Sequence, residues 1–150
     1  MERAAELPFL CETEANPPAV TLACPDGFML LGESCYAFRA EVRLSWDDSQ
    51  EYCRNLTGQA RLIEIETEQE LHLITTFLRD NGTTTPYFWI GVEQRGESTH
   101  YQWASTKWPL TFYNWDDNQP NEVGSGNAIE LYKKADCERE GRKFRIAKIL

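Results

Sequence analysis

Histidine is scarce in this chain, and its cysteines follow no metal-binding spacing. His72 and His100 stand apart, and Cys11, Cys24, Cys35, Cys53 and Cys137 contain neither a Cys-x-x-Cys pair nor a Cys/His cluster. The common zinc frameworks are thereby excluded. No Ser/His/Asp or Cys/His set is suggested by the spacing either, so an enzyme is not expected. Long apolar runs are also missing: nothing approaches the ~20 residues of a transmembrane helix. The amino terminus lacks a basic region followed by an apolar core, so no secretory leader is read in this chain. That leaves cytosolic residence and descent from a longer precursor both open. Positive charge is in deficit, 15 Lys and Arg against 24 Asp and Glu for a net charge of −9. Such a surface repels phosphate, which excludes nucleic acid and suits cations or neutral ligands.

Aromatic residues are plentiful. Five Trp, six Tyr and seven Phe in 150 residues are enough to build a buried core, and the length suggests one compact domain with a tail. With zinc excluded, the cysteines read as disulfide formers, and their odd number leaves one thiol unpaired or bonded to another chain. Asn55-Leu56-Thr57 and Asn81-Gly82-Thr83 are glycosylation sequons, consistent with a secreted context.

Residues 1–12 carry a small apolar patch, Leu7-Pro8-Phe9-Leu10-Cys11, and Asn16-Pro17-Pro18 reads as extended linker. The segment from Cys24 to Phe38 reads as a hairpin with Gly27 and Gly32 at turns, and its cysteines, Cys24 and Cys35, are close enough to bridge. Ser45-Trp46-Asp47-Asp48 opens a helix to about Asn55, with Trp46 and Cys53 on one face. Cys53 then points inward, where a bridge would staple this helix to a strand. Arg61 to Ile65 alternates like a strand. Thr67-Glu68-Gln69-Glu70 caps a second helix whose apolar stripe is Leu71, Ile74, Phe77 and Leu78 and which ends near Asn81-Gly82; His72 lies off that stripe, toward solvent. Tyr87 to Val92 is a buried-strand run, Tyr101-Gln102-Trp103 a second strand, Ile129 to Tyr132 a third, and Phe144 to Ile146 a last one.

Between the second and third of these lies a segment of loop character up to Asn127. Irregular loops near twenty residues in compact domains are usually functional. This one contains Tyr113-Asn114-Trp115-Asp116-Asp117-Asn118-Gln119-Pro120-Asn121. Its proline holds two oxygen-bearing side chains on either side of a rigid turn, a cradle for a hard cation or a polyol. The aromatic residues there also read simply as core packing, the preferred reading for Trp89, Trp103 and Trp115.

The order of hairpin cysteines, helix with inward cysteine, second helix, Trp89-Ile90-Gly91-Val92, long loop with Gln119-Pro120-Asn121, and Ile129-Glu130-Leu131 resembles a C-type lectin-like domain of the long form. The resemblance implies an α+β fold with two helices, two small antiparallel sheets and a long loop. It also implies a loop-bound Ca²⁺ that holds two neighbouring sugar hydroxyls, since this ion takes 6–8 oxygens. In the family, Glu-Pro-Asn goes with mannose-type and Gln-Pro-Asp with galactose-type recognition; Gln119-Pro120-Asn121 is neither and supplies no carboxylate. The expected site is therefore Gln119, Asn121, Glu122 and Asn127 for both sugar and metal, with Asp116 as a further metal ligand and Asp117 nearby. Calcium binding is expected to be weak, millimolar or absent.

Three family features are missing: Ala128 stands where a cysteine is usual, a Trp-Asn-Asp segment is not found, and the closing Phe-Ile-Cys-Glu does not follow Phe144. Phe9-Leu10-Cys11-Glu12 resembles that closing strand, which implies a unit of a tandem array such as the mannose receptor family. On this expectation residues 1–23 are the tail of a preceding domain plus a linker, and 24–150 the domain itself, truncated or divergent after about 128. A further option is that Cys11 folds back to bridge Cys53. The implied role is glycan or glycoprotein binding on an extracellular or cell-surface, endocytic receptor whose signal and anchor are not in this chain. The alternative is a calcium-independent domain that binds protein ligands through Trp108, Tyr113 and Trp115.

Overall fold

The computed structural model describes residues 3–14, 23–81, 87–96, 100–110, 112, 115, 128–133 and 144–148, with backbone alone for 132–133 and 144–148. Its elements run β1 (Leu7–Glu14), β2 (Met29–Leu31), β3 (Ser34–Leu44), α1 (Trp46–Thr57), β4 (Arg61–Leu62), α2 (Glu68–Asp80), β5 (Tyr87–Gln94), β6 (Tyr101–Trp103), β7 (Ala128–Lys133) and β8 (Phe144–Lys148). The α+β fold with two helices is as expected. Its strands form two antiparallel ladders, one of β1 to β4 and one of β5 to β8, joined into a single network by a parallel bridge between Phe9 and Trp89.

Both helices start where their capping residues stand. The Ser45 hydroxyl accepts from the Asp48 amide at 3.2 Å and the Thr67 hydroxyl from the Glu70 amide at 3.1 Å, each satisfying a donor the helix itself cannot. α1 ends at Gly58, which adopts the left-handed conformation with φ 78°, a geometry that costs glycine little. Each helix then covers one face of the strand network. On one side Leu71, Ile74 and Leu78 of α2 join Leu10, Phe88, Ile90 and Leu131; on the other Trp46 and Cys53 of α1 join Phe9, Cys11 and Trp89. Strand residues pointing alternately to the two sides are the reason Phe88, Trp89 and Ile90 are all fully buried.

The amino-terminal segment departs from expectation. Residues 7–14, expected in the tail of a preceding domain, form β1, which pairs with β3, β4 and β5, and Leu7, Phe9, Leu10 and Cys11 are core residues. A disulfide joins Cys11 to Cys53 with Cα atoms 5.5 Å apart, stapling β1 to α1. The fold-back pairing is thus the one observed, and its physical basis is that a strand apolar on both faces needs cover on both. Cys24 and Cys35 are bridged as expected. Cys137 and residues 15–22 lie outside the described residues.

The strand expected over 61–65 is only Arg61–Leu62. Beyond it the chain threads between the two ladders: the Ile63 amide donates to Leu10 O at 2.9 Å, and the Gly91 amide donates to Ile63 O at 2.7 Å. Gly91 is required for this approach, because a Cβ there would lie 2.7 Å from Leu62 O. Among the described residues, no helix is long and apolar enough to cross a membrane.

Candidate functional site

Gln119, Asn121, Glu122, Asn127 and Asp116, the residues expected to hold sugar and metal, lie outside the described residues, as do Asp117 and Tyr113. The described residues do show how both roots of their loop are held. Glu93 on β5 is opposite Gln102 of β6 and also opposite Ala128 of β7, where the β5–β7 register shifts. The segment leaving β6 turns back on it, with Pro109 bridging Gln102 and the Leu110 amide donating to Tyr101 O at 3.2 Å. Entry and exit of the loop are therefore fixed on neighbouring strands. Trp115 anchors its interior, its ring 5.4 Å from that of Tyr101 in an edge contact, and Leu110 and Phe112 pack against the same core. Trp89 and Trp103 are buried, so these three indoles are packing residues, as expected.

The Glu93 side chain reinforces the root. Its carboxylate accepts from Arg3 Nη2 at 2.9 Å and from the Gln102 amide at 3.0 Å, and it also receives the Lys107 ammonium. Burial alone would raise its pKa, but Lys107, Gln102 and Arg3 outweigh that effect and hold the carboxyl below the usual range. Arg3 in turn lies over the Trp46 ring at 4.2 Å, a cation–π contact. Sequence reading missed Glu93, because no local pattern marks a residue whose three partners are spread along the chain.

A second feature is an acid-lined cleft of about 580 Å³ bordered by Glu12, Glu64, Glu66 and Glu70 with Arg61 and Tyr36. Glu12 comes from β1, Arg61 from β4, and Glu70 from the first turn of α2. Arg61 Nε lies 3.6 Å from Glu12 and 3.5 Å from Glu64. Glu64 accepts from the Ser105 hydroxyl at 2.7 Å and the Ser105 amide at 3.1 Å; the Tyr36 hydroxyl donates to Glu70 at 2.8 Å. Burial pushes Glu12, Glu64 and Glu70 above their ordinary values, in Glu12 with help from the Glu70 charge. The Arg61 guanidinium thus joins β1 to the segment after β4, while the Tyr36–Glu70 bond ties β3 to α2. Among the described residues, no three acidic, histidine or cysteine side chains are grouped to hold a metal ion. Glu12 was visible in the sequence as part of Phe9-Leu10-Cys11-Glu12, but its neighbours were not.

The expected sequons have their asparagines at exposed positions, Asn55 on α1 and Asn81 at the end of α2. Asn81 Nδ2 donates to Phe77 O at 2.9 Å.

Comparison with known proteins agrees with this architecture. The family model described as Lectin C-type domain matches residues 42–141. Lithostathine of Rattus norvegicus is 27% identical over 128 residues, covering 82% of this chain and 76% of that protein. Lymphocyte antigen 75 of Homo sapiens is 34% identical over 95 residues, 63% of this chain but 5% of that protein. Among solved structures, human lithostathine at 1.3 Å superposes with a TM-score of 0.66 at 23% identity, covering 91% of this chain and 99% of that one. The carbohydrate-recognition domain of the human scavenger receptor C-type lectin gives 0.60 at 16% identity, covering 84% and 90%. With two helices, the two joined ladders and a family match over 42–141, this chain belongs to the C-type lectin domain family.

Proposed function

We propose that this chain is an extracellular carbohydrate-recognition module that binds glycans through its long loop with weak calcium assistance. The observation that supports the reading is that both roots of the loop pair with Glu93, through Gln102 at its entry and Ala128 at its exit. Gln119, Asn121, Glu122, Asn127 and Asp116 offer only oxygen-bearing side chains, the donor chemistry a Ca²⁺ ion accepts. Two of the central donors are neutral amides, so affinity is low. Sugar hydroxyls complete the coordination in this reading, and the same side chains hydrogen-bond them. The sequons at Asn55 and Asn81 fit such a secreted setting.

The module serves in a cell-surface or endocytic receptor, as one unit of a tandem array. Support comes from lymphocyte antigen 75, in which the matching stretch makes up 5% of the protein. A binding role is favoured over catalysis. A second reading, a calcium-independent protein-interaction domain, is favoured by one specific residue: Ala128, fully buried at the loop's exit, stands where the family usually carries a cysteine.

Calorimetry with Ca²⁺ separates the two readings. Weak binding, in roughly the millimolar range, that tightens in Gln119→Glu is expected for the first, because an added carboxylate raises affinity. No heat in either protein favours the second.

A further inference from the structure

The geometry points to Trp108 as a stacking platform for the C–H face of a pyranose ring, a contact outside the expected metal and sugar ligands. The inference rests on the glycan-binding reading and deepens it. Trp108 is 71% exposed, the most exposed large hydrophobic side chain among the described residues. An indole so placed leaves an unusually large apolar area in water, and its backbone is anything but loose. The Trp103 amide donates to Trp108 O at 3.0 Å and the Lys107 amide to Trp103 O at 2.9 Å, while the Trp108 amide donates to the Thr106 hydroxyl at 3.2 Å. Lys107 takes φ 61°, the one non-glycine positive φ among the described residues. A hydrogen-bonded turn with one residue in the left-handed region thus fixes the backbone that carries the indole, which lessens the ordering a ligand must impose.

The surroundings select the ligand class. Ser105, Thr106 and Lys107 beside Trp108 are exposed and polar, and Gln102 and Lys107 both bond Glu93. The Lys107 ammonium therefore already has a carboxylate partner on β5. The hydroxyl-bearing Ser105 and Thr106 of the same turn are exposed beside the indole, an arrangement that suits a saccharide: a flat C–H face for the ring and polar partners for its hydroxyls. The turn leads directly into the loop's entry, through Pro109 bridging Gln102.

The test is an array of immobilised oligosaccharides probed with the full chain in calcium, followed by titration of the strongest binder in solution. Wild type, Trp108→Ala and Trp108→Tyr are compared, with thermal midpoints as a folding control. We expect Trp108→Ala to lose about tenfold or more in affinity with an unchanged midpoint, and Trp108→Tyr to retain most of it. Equal affinity of wild type and Trp108→Ala overturns the inference and leaves the loop reading standing. A wild-type chain that binds no glycan overturns the glycan reading, and the platform with it.

Discussion

Glu130 places a carboxylate where a folded chain rarely tolerates one. It is fully buried on β7, opposite Trp89 and Ala147, and neither of its oxygens has a hydrogen-bond partner among the described residues. Burial pushes its pKa up to about 8, so the folded chain keeps it protonated and neutral across a range in which the unfolded chain, near its ordinary value of about 4.3, has ionised it. Between those values the folded state holds the extra proton, and stability falls as pH rises, by up to about 1.4 kcal/mol per pH unit, levelling off above the folded value. Glu12, Glu64 and Glu70 are shifted in the same direction, whereas Glu93, held low, favours the fold above its unfolded pKa and ceases to do so as pH falls through its folded value. Denaturant unfolding between pH 5 and 8 should therefore show stability declining with pH, and Glu130→Gln should flatten part of that slope. An unchanged slope in the variant would place the effect on other groups.

The element that most changes the picture is β1. Helices α1 and α2 were legible because Ser45 and Thr67 mark their starts and the apolar stripe of α2 has helical spacing; the strand over 87–92 was legible from its unbroken apolar run. The sequence marks β1 as apolar and strand-like but does not give its place, because Phe9-Leu10-Cys11-Glu12 resembles a closing strand and nothing local says which unit it closes. Its partners are nonlocal: β3, β4, β5 and, through sulfur, Cys53. Ile63 to Ile65 misled in the opposite direction, since their alternation suits a strand but the chain there crosses from β1 to β5. If β1 is an integral strand, the double variant Cys11→Ala/Cys53→Ala should lose roughly 2–5 kcal/mol, seen as a clear drop in thermal midpoint under non-reducing conditions. A midpoint unaffected by the substitution would show that β1 contributes little to this unit.

Taken as one body, the molecule is a two-faced strand network with a helix on each side and a long loop rooted at one residue, Glu93. The fold class could be read from the order of its motifs. Gln119-Pro120-Asn121 lies outside the described residues, and the clamp at the loop's root could not be read from the sequence, because Arg3, Gln102 and Lys107 converge on Glu93 only after folding. The proposed calcium-assisted glycan site in this rooted loop is put to the test by a glycan array read with Ca²⁺ and again with a chelator. We predict saccharide signals that disappear with chelator and in Gln119→Ala/Asn121→Ala; signals that persist in both conditions, or none at all, would contradict it.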